Sequence, residues 1–249
     1  MDRALYIGMT GAKQVMRSQA VNANNLSNAN TVGFRKDFDN YLGLQIQGSG
    51  YPSRVNVIDN GRASDFTSGQ LIQTGRDLDI AVQGDGFIAV QTADGGEAYT
   101  RAGGLRITEN GILVNAAGFQ VLGNDGGPVA IPPADKVDIG VDGTISILPV
   151  GQQVVNMAVV DRIKLVNPDN ARLEKGQDGL FRVNGEADVV ALPDANVRII
   201  SGFLESSNVD SVNEMVKMIS NARLFEAQVK IMSTVKENDA ASEKLLKLT

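Results

Sequence analysis

The 249-residue sequence contains no histidine, no cysteine and no tryptophan, and aromatic residues make up only 5% of it. Without cysteine there is no disulfide, thiolate zinc site, iron–sulfur cluster or thiol nucleophile. Without histidine there is no imidazole ligand, and no side chain that titrates near neutrality unless its surroundings shift it. The catalytic chemistry left open is that of carboxylates, lysine, tyrosine or a Ser–Lys pair. Long apolar runs are missing too: none exceeds four residues, so nothing reads as a membrane span. The opening MDRALYIGMTGAK has no apolar core of signal-peptide length. The expectation is a cytosolic protein, or one that leaves by a route reading no cleavable signal.

Excess positive charge is also lacking. The net charge is −6, from 23 basic and 29 acidic residues. Residues 1–50 carry net +2, residues 205–249 net −1, and the middle net −7. A protein that grips nucleic acid needs a basic footprint, so that partner is not expected. What is present is 43% hydrophobic residues, enough to bury a core, in a length that suits one or two domains.

Three regimes follow one another. From Asp2 to about Asn28 there is no proline, and Leu5, Met9, Ala12, Met16, Ala23 and Leu26 recur at steps of three and four, interrupted by Gln19. That spacing predicts one narrow stripe along a helix. From about Asn56 to Phe203 short alternating runs such as LDIAV, TISI and RIKLV predict strands. Turn dipeptides separate them: Asn60-Gly61, Asp94-Gly95, Asn110-Gly111, Asp125-Gly126, Asp142-Gly143, Asp178-Gly179 and Asn184-Gly185. Such pairs supply the positive φ of tight hairpins, which predicts an antiparallel, sandwich- or barrel-like β domain.

The third regime begins near Ser207 and has neither proline nor glycine. Asn208 or Asp210 offers a helix N-cap, with Glu214 near the first turn. Met215, Met218, Ile219, Ala222, Phe225, Val229, Met232 and Val235 form its stripe. A helix of about 40 residues would run ~60 Å, more than a compact domain of this size covers. The division is therefore a helix and its exit at 1–36, an extended connection at 37–77, a β domain at 78–203 and a helix at 204–249. Each terminal stripe has the narrow seam of a coiled coil. The two can pair together, dock on the β domain or pair with other copies, and order mainly on assembly is expected.

Candidate reactive groups are few. Asp77, Asp79 and Asp85 cluster, but the twelve-residue calcium-loop spacing is absent and Asp85-Gly86 reads as a turn. Asp94-Gly95-Gly96 and Asp125-Gly126-Gly127 lack the Lys-Ser/Thr of a phosphate loop. No glutamate sits in a recognisable glycoside-hydrolase setting, so no enzyme, cofactor or metal is expected.

The segment Asn25–Arg35 (NLSNANTVGFR) closely resembles the N-terminal signature of bacterial flagellar rod and hook proteins through Asn25, Leu26, Ser27, Asn28, Thr31, Gly33, Phe34 and Arg35. Leu78–Phe87, Tyr99-Thr100-Arg101 and Gly111–Gly123 resemble that family's central motifs. Gly202–Val209 (GFLESSNV) and Asn221–Glu226 (NARLFE) resemble its last signature. One departure is Ile88, where many relatives have a second aromatic. Length within the family points to one of two rod proteins. The stretches LYIGMTGAKQ and QAVNANNLSNANTVGFR, with a short Asp37–Ser68 connection, resemble the proximal-rod member more than the distal one.

The resemblance implies a structural subunit exported unfolded by the flagellar type III apparatus without a cleaved signal. It implies polymerisation in the periplasm into a hollow, torque-transmitting shaft, with neighbouring rod proteins and other copies as partners. Terminal helices would line the tube as coiled-coil layers, with the β domain outward. The expected assembly interface is Leu5, Met9, Ala12, Met16 and Leu26 with Met215, Ile219, Ala222, Val229 and Met232. A soluble envelope protein holding a glycan or peptide is the alternative from another class. Limited proteolysis of the isolated chain tests the folding-on-assembly idea: both ends should be clipped quickly around a resistant β core, and ends as resistant as the centre would refute it.

Overall fold

The computed structural model describes residues 3–45, 55–151, 157–184 and 190–246. The chain forms two compact units that interleave along the sequence. One comprises Met1–Ala29, Lys36–Asp65 and Val209–Thr249; the other comprises Asn30–Arg35 and Phe66–Asn208. The fold is mainly antiparallel β with a helix in each terminal region.

The first unit contains α1 (Arg3–Ser27), a hairpin of β1 (Asp37–Gln45) and β2 (Val55–Ser64), and α2 (Ser211–Leu246). Segment 37–77, for which the sequence predicts an extended connection, thus contains a paired ribbon. Asn60-Gly61, predicted as a turn, lies inside β2. The register slips between Asp39 and Tyr41 of β1, opposite this dipeptide, and Gly61 has φ +96°. That is bulge chemistry: the same left-handed preference that closes a tight turn also admits an extra residue into a strand. Asp210 caps α2, its Oδ1 accepting from the N–H groups of Val212 (3.0 Å) and Asn213 (3.2 Å). The other candidate cap, Asn208, instead donates through its side chain to Thr67 C=O in the second unit, to which both belong.

The second unit begins with β3 (Leu71–Gln73), β4 (Ile80–Gln83), β5 (Phe87–Gln91), β6 (Glu97–Thr100), β7 (Leu105–Ile107), β8 (Leu113–Asn115) and β9 (Gln120–Val121). It continues through β10 (Ala134–Ile139), β11 (Thr144–Pro149), β12 (Ala158–Arg162) and β13 (Leu165–Val166). After β14 (Leu173–Lys175) and β15 (Phe181–Val183) come β16 (Arg198–Ser201) and β17 (Phe203–Glu205). The largest sheet runs β14-β15-β6-β5-β9-β8-β7, with β13 also on β5. A second sheet is β10-β11-β12, and two ribbons pair β16 with β4 and β17 with β3. Five predicted turns sit where expected: Asp94-Gly95 joins β5 to β6, Asn110-Gly111 β7 to β8, Asp142-Gly143 β10 to β11 and Asp178-Gly179 β14 to β15, and Asp125-Gly126 lies between the bridged Leu122 and Pro128. Their glycines all have positive φ. Gly185 of Asn184-Gly185 lies outside the described residues.

Ile80, Val82, Ile88, Val90, Leu113, Ile145, Ile163 and Ile199 anchor the main core of this unit. A smaller cluster holds Phe87, Tyr99, Phe181 and Val166, with Phe66 against it. Phe66, Phe87 and Phe181 pack with centroids 5.3–6.1 Å apart in tilted and edge-on arrangements, geometries that the ring quadrupoles favour. Tyr99 Oη accepts from Ala191 N–H at 2.8 Å. Burial pushes its pKa up to about 12, against the lowering effect of that hydrogen bond.

A raised phenol pKa means that folding favours the neutral ring. Its contribution is complete below about pH 10 and is lost as pH rises towards 12. Absorbance titration near 295 nm should show one of the four tyrosines ionising last, together with unfolding; Tyr99→Phe should remove that late step.

Candidate functional site: the convergence of the signature motifs

Asn25 is the first signature residue whose role the structure makes plain. It is buried near the end of α1, and its amide clasps the backbone of Asp37: Nδ2 donates to Asp37 C=O (2.8 Å) and Oδ1 accepts Asp37 N–H (2.9 Å). A side chain with one donor and one acceptor thus stands in for a strand neighbour, fixing where β1 starts beside the helix. Asn28 ends the helix by bonding back to Asn24 C=O through N–H (3.2 Å) and Nδ2 (2.9 Å). Leu26 and Ser27 complete this last turn, Ser27 Oγ donating to Asn24 C=O. Farther along, Ser18 Oγ, Tyr41 Oη and Asp39 Oδ2 form a three-way network at 2.7–3.2 Å.

From residue 30 the signature belongs to the β unit. Thr31 is exposed, its C=O accepting Phe34 N–H. Gly33 has φ +68°, and a Cβ there would fall 2.3 Å from the Arg101 carbonyl carbon. Only glycine meets both demands. Its N–H donates to Glu205 C=O at 2.8 Å. Phe34 lies under the Lys175 ammonium, 3.8 Å from ring centroid to Nζ, and that Nζ also donates to Arg35 C=O.

The centre of the site is ionic and dry. Arg35 Nη2 lies 2.7 Å from Glu205 Oε1, and Arg101 Nη1 lies 3.2 Å from Glu205 Oε2; all three side chains are at most 2% exposed. Glu205 Oε1 also accepts Gly69 N–H at 2.8 Å. Arg101 has further support from Gly84 C=O (2.7 Å) and from the face of Phe87 (5.2 Å). Arg35 does not: among the described residues its Nε and Nη1 have no hydrogen-bond partner, and Glu205 is its one ion pair. Burial pulls the Arg101 pKa down; Glu205 opposes this and Arg35 adds to it. Two cations thus share one carboxylate. Three motifs quoted separately from the sequence meet here, through Arg35, Arg101 and Glu205. The sequence marked each as a motif without indicating that they touch.

The helix stripes are placed differently. One line of covered positions along α1 is Leu5, Gly8, Ala12, Val15, Gln19 and Asn22, and Val21 and Gly11 beside it are covered as well. This line shares Leu5 and Ala12 with the predicted stripe and passes through Gln19, which interrupts it, but Gly8 and Val15 replace Met9 and Met16, which are 55% and 58% exposed. The reason is close approach. Gly8 lies against Met232, where a Cβ would be 2.9 Å from Cγ, and Gly11 lies against Gln228. The helices are antiparallel, and counting glycine as merely non-apolar hid the seam. On α2 the covered positions are Glu214, Met218, Asn221, Phe225, Gln228, Met232 and Val235, at heptad spacing. Met215 (47% exposed), Ile219 (57%) and Val229 (44%), with Ala222, face away from it. Leu26 is half-buried.

Elsewhere, Asp79 is buried beside Arg76 (3.4 Å). Among the described residues no group of three or more acidic side chains is arranged to hold a metal, and no helix is long and apolar enough to cross a membrane.

Three family models match the chain. "Flagella basal body rod protein" covers residues 5–35, the FlgE/F/G D1 domain of flagellar hook proteins residues 81–147, and the C-terminal region of flagellar basal body rod FlgEFG proteins residues 200–245. The chain is 40% identical to the flagellar basal-body rod protein FlgF of Escherichia coli (strain K12), over the whole of both. It is 37% identical to FlgF of Caulobacter vibrioides, again end to end. Identity to the rod protein FlgG of Bacillus subtilis is 34%, over 95% of this chain and 96% of that one.

Gly33→Ala should cost roughly 3 kcal/mol or more, a left-handed backbone being worth about 1–2 kcal/mol and the overlap adding to it. Gly118→Ala, with φ +94° and nothing within 4 Å of its Cβ, isolates the backbone part and should cost about half as much or less. Urea unfolding of both variants measures the difference.

Proposed function

The chain belongs to the family of flagellar basal-body rod proteins, and we propose that it is a structural subunit of the rod, in its proximal part. It polymerises with other copies and with neighbouring rod proteins, and performs no catalysis. The observation that carries this reading is how apolar side chains are spread around α2. One face meets α1, yet Met215, Val216, Ile219, Leu224, Val229 and Ile231 stay exposed on its other sides. A helix with apolar side chains on every side cannot cover them all against a single partner, and a 36-residue helix of about 54 Å beside a 25-residue one of about 37 Å is not enclosed by it. The interior is supplied by the helices of adjacent subunits, stacked as coiled-coil layers.

On this reading Met9 and Met16 of α1 with Met215, Ile219, Ala222 and Val229 of α2 meet neighbouring chains. Leu5, Ala12 and Met232 help close the subunit's own seam, and Leu26 lies half-buried in the last turn of α1. Near-neutral terminal regions permit dense packing, while the acidic middle of the chain stays solvated. Many such interlocked helices share a torsional load. Export through the flagellar type III apparatus without a cleaved signal, and assembly in the periplasm, complete the proposal. Likeness to FlgG keeps the distal rod as the second reading; the higher identities to proteins named FlgF favour the proximal one.

Ile219→Glu and Val229→Glu should each change stability by no more than about 0.5 kcal/mol, because both positions are exposed. They should nevertheless exclude the chain from basal bodies and abolish motility. Mass spectrometry of detergent-extracted basal bodies from complemented deletion cells is the check. Normal incorporation of both variants would refute the helix-face interface. Basal bodies that assemble normally without the chain would refute the rod assignment itself.

A further inference from the structure

The buried ions carry an implication about the order in which the subunit closes. Among the described residues Arg35 has Glu205 as its one counter-charge, whereas Arg101 has Gly84 C=O, the Phe87 ring and the nearby charge of Asp85 as well. The two apolar cores of the β unit draw no residue from 30–35. Strand pairing and burial from Ile80 to Ile199 therefore do not require that segment. Docking it does require Glu205, and in two ways. The Glu205 carbonyl takes the Gly33 N–H, and its carboxylate neutralises the guanidinium arriving two residues later. Before β17 is in place, docking would bury Arg35 beside the like charge of Arg101 without the carboxylate that lies between them, a strongly unfavourable step.

We propose that Glu205 is the closing key of the subunit: residues 30–35 enter the β unit only after β17 has paired with β3. The signature that ends α1 and the signature that precedes α2 then lock in one late step. A chain whose last segment is missing or misplaced keeps residues 30–35 undocked from the β unit. This does not depend on the rod assignment; it is a property of the fold.

Hydrogen exchange on the full-length chain tests it. In pulse-labelled refolding, Ala89, whose N–H donates to Lys164 C=O, should be protected first. Ser206, bonded to Gln70 C=O, should follow, and Gly33 should come with or after it. Protection of Gly33 ahead of Ser206 would overturn the proposal. At equilibrium, Glu205→Gln should speed Gly33 exchange on the order of 100-fold while Ala89 stays protected. Adding Arg35→Met to that variant should restore much of the Gly33 protection. The proposal fails if Gly33 stays protected in Glu205→Gln, if Ala89 loses protection by the same factor, or if removing the Arg35 charge restores nothing.

Discussion

A carboxylate removed from water is a liability unless every lone pair is used, and Glu205 uses its own on groups drawn from distant parts of the chain. Arg35, Gly69 and Arg101 all converge on it, while its backbone carbonyl holds Gly33. None of these contacts is strong by itself, since desolvation consumes much of what the ion pairs return. Their value lies in specificity. With a smaller acid or a shifted register, two buried guanidinium groups would face each other. The positive φ of Gly33, the missing Cβ of Gly69 (2.0 Å from Ser206 O were it present) and the cation over Phe34 are all arranged around this carboxylate.

Much of this was legible as motif and little of it as contact. Asn25, Gly33 and Arg35 stood out from the sequence as members of one short signature, but they do three separate jobs. Asn25 copies a backbone, Gly33 permits a backbone, and Arg35 is held by a residue 170 positions later. Local spacing predicts turns and periodicity well because those are local physics, which is why Asp94-Gly95 and Asp178-Gly179 fall where they should. It cannot distinguish a hairpin turn from a bulge at Asn60-Gly61, because both exploit the same φ. Which carboxylate neutralises which arginine is settled by topology.

The helices divide the stripe read from the sequence between two faces. On α1 the seam with α2 runs through Gly8 rather than Met9, and on α2 Met218, Phe225, Met232 and Val235 are covered while Met215, Ile219 and Val229 are exposed. Hydrophobicity alone ranks a methionine above a glycine; close packing of two helices can reverse that ranking. On α1 the small Gly8 and Ala12 face the seam while Met9 and Met16 face out, and on α2 the larger Met218, Phe225 and Met232 fill it.

The pairing of β3 with β17 places the first strand of the β unit beside its last: Ser206 N–H reaches Gln70 C=O, and Leu71 lies opposite Glu205. Whatever lies between those strands is, topologically, a loop whose two ends are stapled together. Its length can change without altering where the chain enters and leaves. Strands between β3 and β17 can therefore be added or removed as a cassette, with the chain still entering and leaving the β unit at the same two adjacent strands.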